Sequence, residues 1–84
     1  MKLICDISIG QNLSQLRRSN GYTQSSLATL LQSEGYFISR DIISKIENGK
    51  YNIPISILKR LKELYDISYD DFFSDIWSDY KSKH

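Results

Sequence analysis

The stretch "RDIISK", residues 40–45, crowds hydrogen-bonding side chains of different kinds into less than two helical turns. Arg40 and Lys45 donate, Asp41 accepts, and Ser44 does either. Read as a helix over 40–47 that starts after Ser39, the spacing puts Ile43 and Ile46 on one face. Arg40, Asp41, Ser44 and Lys45 fall on the other. Such a face is either a solvated surface, on which Asp41 and Lys45 pair at i, i+4, or a surface offered to a partner. Catalytic chemistry finds less support. Cys5 has no histidine partner in prospect, so no nucleophile is expected. A lone cysteine also rules out an internal disulfide and a cysteine-based zinc site. His84, the only histidine, belongs to a chain end expected to be unordered. Asp71, Asp75 and Asp79 recur at i, i+4, i+8, but without converging ligands from elsewhere they read as a solvated face. No metal, no cofactor and no enzymatic activity are expected.

Helical spacing dominates the elements that must hold this face. Ile9, Leu13 and Leu16 stand at i, i+4, i+7 and predict a helix over about 9–19, with Gly21 near the left-handed cap position. Thr23 is an N-cap for a second helix, whose apolar side is Leu27, Ala28, Leu30 and Leu31. "QSEGYFI", 32–38, breaks the pattern at Gly35 and reads as a loop, and "NGKYNIP", 48–54, as a turn. A fourth helix is predicted over 55–65 from Ile55, Leu58, Leu61, Leu64 and Tyr65. A fifth starts at Tyr69, where Ser68 and Asp71 have capping-box spacing. Leu3, Cys5 and Ile7 alternate with other residues, so 2–7 reads as a short strand or an ordered arm. The expected fold is all-α: a five-helix domain over 9–73, an N-terminal arm or strand over 1–8, and a C-terminal helical extension and tail over 74–84.

The totals fit one small domain. The chain has 84 residues, 40% hydrophobic and 25% charged, as in soluble globular proteins. A net charge of +1 neither favours nor excludes a nucleic-acid partner. Residues 1–50 carry six basic and four acidic groups, and residues 51–84 carry five and six. The small positive excess thus lies in the half that contains "RDIISK". No apolar run reaches the roughly 18 residues of a membrane-spanning helix. The apolar piece in "MKLICDISIGQN" is interrupted by Asp6 and is too short for a signal peptide. A cytoplasmic location is expected, with no membrane partner.

"IGQNLSQLRRSNGYTQSSLATLL", then "ISRDIISKIENGK", then "PISILKRLKELYDISYDDFF", resembles the phage Cro/repressor type of helix-turn-helix, the XRE family. The resemblance covers roughly 9–73. It is carried by Leu16-Arg17, Thr23-Gln24, Leu27-Ala28, Ile43, Ile46-Glu47-Asn48-Gly49, Leu58 and Leu61, in that order. Physical chemistry supports it separately. Two closely crossing helices need a small residue, which Ala28 supplies, and the second must leave one face bare for the major groove. The sequence departs from the family in its connection. "QSEGYFIS" is several residues longer than the usual about three or four, and Tyr36 and Phe37 are expected to fold back on the domain.

The resemblance implies roles. Arg40, Asp41, Ser44 and Lys45 match positions that reach base edges: Arg and Lys donate to guanine O6 and N7, and Asp accepts from cytosine N4. A carboxylate near phosphates is unfavourable unless paired, so Asp41 acts by orienting Lys45 or excluding wrong bases. Gln24 at the start of its helix, with Asn48 and Lys50 after the recognition helix, suits phosphate oxygens. Asn48-Gly49 is also what a tight turn requires. Arg17 and Glu47 match a family ion pair joining the first helix to the end of the third. Ile42 either touches a thymine methyl or tucks under Phe37. Phe72 is assigned to the core. Phe73, Ile76, Trp77 and Tyr80 are too apolar for the end of so small a monomer and offer an isologous dimer surface.

The function this implies is a sequence-specific regulator of double-stranded DNA, most simply a repressor acting as a homodimer on an operator. No small-molecule ligand is evident. Beyond the DNA-binding domain only the arm and tail are expected, leaving no room for a ligand-sensing domain. A compact regulator of phage, mobile-element, restriction–modification or toxin–antitoxin type has this layout. The alternative is a protein-interaction module that keeps the fold with little DNA affinity. Low net charge and Asp41 favour it; Arg40, Lys45, Gln24, Asn48 and Lys50 oppose it.

Overall fold

The helix boundaries follow from caps that the chain supplies locally. A computed structural model describes residues 2–73, with side chains from Ile9 onward. It contains α1 (Lys2–Ser19), α2 (Gln24–Ser33), α3 (Arg40–Glu47), α4 (Ile55–Tyr65) and a 3-10 turn (Tyr69–Phe73). The fold is all-helical, without a strand among the described residues. Thr23 opens α2: its Oγ1 accepts from the Ser26 N–H at 2.9 Å, and Ser26 Oγ accepts from the Thr23 N–H at 2.9 Å. This is a capping box with serine in the usual glutamate place. Ser39, extended at φ −115°, caps α3 by accepting from the Ile42 N–H at 3.2 Å.

Three details differ from expectation. Residues 2–7, read as a strand or arm, continue α1 upstream. A lone strand has no neighbour among the described residues to satisfy its backbone, whereas a helix satisfies its own. The segment expected to open an α-helix at Tyr69 is a 3-10 turn through Phe73, and the remainder, 74–84, lies outside the described residues. Ile55, counted among the apolar positions of the fourth helix, is largely exposed. The buried stripe of α4 is Ile57, Leu61 and Tyr65 at i, i+4, i+8, and a residue two before Ile57 points to the opposite side.

These stripes meet in one core. Leu13 of α1, Leu27, Ala28 and Leu31 of α2, Ile43 and Ile46 of α3, the α4 stripe and Phe72 are buried together. Phe72 has no exposed surface. Its carbonyl accepts from the Nδ2 of buried Asn12 at 2.6 Å, which fastens the 3-10 turn to α1.

The core has one unsatisfied polar atom among the described residues, the Tyr65 hydroxyl. Its ring is tilted against Tyr22 with centroids 6.3 Å apart. A buried hydroxyl without a partner costs stability, so Tyr65→Phe is expected to stabilise the domain by about 1 kcal/mol. Burial, opposed by nearby Arg17 and assisted by Glu47, holds the Tyr65 pKa well above the ordinary phenol value. The unfolded phenol ionises at about pH 10 while the folded one does not. Stability from this group is therefore complete below that pH and is lost above it, by about 1.4 kcal/mol at one unit higher. Urea titrations of wild type and Tyr65→Phe at pH 8 and 11 check both points, since the variant lacks this share of the alkaline loss.

Candidate nucleic-acid interface

Helix α3 divides along its length as its sequence spacing requires. Ile43 and Ile46 are each 5% exposed. Arg40 and Asp41 are exposed, and Ser44 and Lys45 are half-buried. The outward side chains do not all stand free. Lys45 Nζ lies 3.2 Å from Asp41 Oδ2, and this hydrogen bond raises the Lys45 pKa. The same ammonium sits 5.3 Å from the centroid of the Tyr51 ring. Asp41 and Tyr51 thus bracket Lys45 from two sides, and both stabilise its cationic form.

Tyr51 reaches Lys45 because of the way α3 ends. Gly49, at φ 78°, adopts the left-handed conformation that costs a side-chain-bearing residue energy. The Gly49 N–H then donates to the Ile46 carbonyl at 3.1 Å, and the Lys50 N–H to the Lys45 carbonyl at 2.8 Å. This Schellman closure turns the chain back over the last turn of α3. Sequence reasoning read "NG" as a turn and missed its consequence for Tyr51. The signal was available: a left-handed glycine after a helix returns the following residues toward the helical residue five before. Lys50 and Asn48 emerge exposed from this turn.

The opposite edge of the same end is tied to α1 and α2. Arg17 Nε donates to Glu47 Oε2 at 2.8 Å, and Arg17 Nη2 to Glu47 Oε1 at 3.1 Å. The two side chains retain only 9% and 8% of their exposure. Arg17 Nη1 also donates to the Tyr22 carbonyl at 2.9 Å. The hydrogen bond to Glu47 raises the Arg17 pKa against the desolvation that lowers it. Gln24 completes the cluster: its Nε2 donates to Glu47 Oε1 at 3.0 Å. That amide, expected to face phosphate, is partly spent inside the fold and keeps one N–H for an outside acceptor. Gln11, Ser14, Arg18, Gln24 and Asn48 line a polar hollow around this cluster.

Helix α1 also approaches α3 closely. A Cβ added to Gly10 would fall 2.8 Å from the Ile46 carbonyl oxygen, and nearer still to that of Glu47. The crossing of α1 with α3 therefore requires a small residue as well, Gly10, which sequence reasoning did not single out. Ala28, assigned to the separate crossing of α2 with α3, is buried in α2.

The longer connection before α3 corrects one expectation. Tyr36 is half-buried and packs on the core, as a residue folded back does. Phe37 does not fold back: its exposure is 105%, that of an unfolded side chain. Ile38 on its other side is buried, and its carbonyl accepts from Gln32 Nε2 at 2.8 Å. With both neighbours held inward, Phe37 has only the outward direction. Ile42 is half-buried against the core without Phe37 as its cover. Of the residues assigned to a dimer surface, Phe73 is 37% exposed, and Ile76, Trp77 and Tyr80 lie outside the described residues.

Among known families, one described as helix-turn-helix matches the chain over residues 13–72. No curated protein and no solved structure gives a significant match.

Proposed function

Because this chain belongs to the helix-turn-helix family, of the Cro/repressor (XRE) type, and so carries the fold of a DNA-binding regulator, we propose that it is a sequence-specific repressor acting as a dimer on an operator. The observation that carries this reading is the bare outward face of α3. The fold buries Ile43 and Ile46 and leaves Arg40 and Asp41 exposed, with Ser44 and Lys45 half-buried on the same outward side. The N-terminal residues of such a helix enter the major groove. Arg40 there donates to guanine, and Lys45, bracketed by Asp41 and Tyr51, is held for a second acceptor one turn on. Lys50, Asn48 and the remaining N–H of Gln24 take phosphates. Phe73, together with Ile76, Trp77 and Tyr80, forms the two-fold surface, which places the two α3 helices about 34 Å apart, one turn of DNA. No described helix is long and apolar enough to cross a membrane, and the proposed location is the cytoplasm.

The Asp41–Lys45 pair favours a second reading, a protein-interaction module, because it neutralises half of the outward charge. Binding to duplexes selected from a random pool, measured across a salt series beside scrambled duplexes, separates the two. Arg40→Ala is expected to cost about 1–3 kcal/mol on the selected site and to relax preference at one base pair per half-site. Lys50→Ala is expected to weaken all sequences alike and to lower the salt slope by about 0.9, because one phosphate is no longer neutralised. Uniform losses from both variants would remove Arg40 from base reading. No salt-dependent duplex binding by the wild type would leave the interaction module.

A further inference from the structure

We propose that Phe37 is a specificity-determining residue that contacts a thymine C5-methyl group at the edge of the operator half-site; this rests on the DNA-binding reading above. A fully exposed phenylalanine contributes nothing to the core. Its orientation is imposed from both sides. The Tyr36 N–H donates to the Leu31 carbonyl at 3.0 Å, and the Ile38 carbonyl is held by Gln32 at 2.8 Å. Ile38, its neighbour, is buried, and Phe37 stands outward beside it. Ser39 then starts α3 two residues later, which puts Phe37 beside the helix end that enters the major groove.

The surroundings select the ligand. Phe37, Ile38 and Ile42 line one shallow hollow next to the first turn of α3. The hollow is apolar, whereas Arg40 and Asp41 beyond it are charged. The major-groove floor presents donors and acceptors at every base pair, and its one apolar group is the thymine methyl. A phenylalanine three residues before Arg40 that shares an apolar hollow with Ile42 thus fits a thymine next to the base pair that Arg40 reads. The longer loop between α2 and α3 is what places the ring there.

The test uses the full chain and its selected duplex, with each thymine replaced in turn by deoxyuridine, which deletes only the methyl group. One thymine in each half-site is expected to show about a fourfold loss for wild type, the fold-change for burying one methyl group. Phe37→Ala is expected to bind the thymine and uracil duplexes equally at that position and to keep the wild-type melting temperature, because Phe37 is fully exposed. A wild-type profile flat at every thymine overturns the inference while leaving DNA binding intact. So does a Phe37→Ala profile identical to wild type, the result if Phe37 serves a protein partner instead. Failure of wild type to bind any duplex removes the DNA-binding reading and this inference with it.

Discussion

Glu47→Ala is expected to destabilise the domain by about 3–5 kcal/mol, a large share of the roughly 5–15 kcal/mol that holds a small domain folded. The size follows from what is left behind. Arg17 is 7% exposed and would keep only the Tyr22 carbonyl as partner, with its Nε and Nη2 donors unpaired. Gln24 would lose its acceptor as well. A buried charge stripped of its counter-ion loses the compensation for its desolvation. Urea denaturation followed by circular dichroism measures the change, and a loss under 1 kcal/mol would place the pair with ordinary surface bridges.

The double replacement Arg17→Met with Glu47→Leu separates stability from orientation. Removing both charges removes both desolvation costs, so most of the loss should return. The hydrogen bonds from Arg17 and Gln24 to the last residue of α3 do not return with it. If those bonds set the angle of α3, the double variant is folded and stable yet discriminates poorly between selected and scrambled duplexes. A double variant with wild-type discrimination would reduce the pair to a contributor to stability alone.

Local chemistry in the sequence made much of this legible. Ser39 and Gly49 mark the two ends of α3, and α3 spans the residues its spacing predicts, Arg40–Glu47. Pro54 similarly precedes α4, which spans Ile55–Tyr65 as its spacing predicts. What failed needed long-range information. The apolar content of Phe37 suggests burial, but the carbonyl of Ile38 is held by Gln32, six residues upstream. That bond and the burial of Ile38 decide the direction of Phe37. Ile55 has helical spacing with Leu58, but the core selects the stripe through Ile57. Asn12 looks like one more polar residue on α1, and its partner is a carbonyl sixty residues away. Within the interface, side-chain types located the outward face of α3. They did not reveal that Lys45 is flanked by Tyr51, or that Gln24 turns one N–H inward to Glu47.

Gly10→Ala is the sharper test of how α3 is held. In an exposed helix interior, alanine for glycine stabilises by about 0.5–1 kcal/mol. Here the same change is expected to destabilise by about 1–3 kcal/mol net, the usual range for overpacking, and Gly10→Val by more. The reason is the identity of the obstructing atoms. The new Cβ would meet the carbonyl oxygens of Ile46 and Glu47, which are backbone and cannot swing aside as a side chain could. Relief requires α1 and α3 to move apart at the crossing. That separation acts on the end of α3 where Arg17 grips Glu47, so the ion pair at 2.8 Å must lengthen or drag α1 with it. The two constraints should therefore be coupled: Gly10→Ala is expected to cost less in the Arg17→Met, Glu47→Leu background than in wild type, by about 0.5 kcal/mol or more. Additive losses would mean that the crossing and the ion pair hold α3 independently. A stabilising Gly10→Ala would mean that the helices do not approach each other closely at this glycine, and that the angle of α3 is set by the ion pair and the core alone.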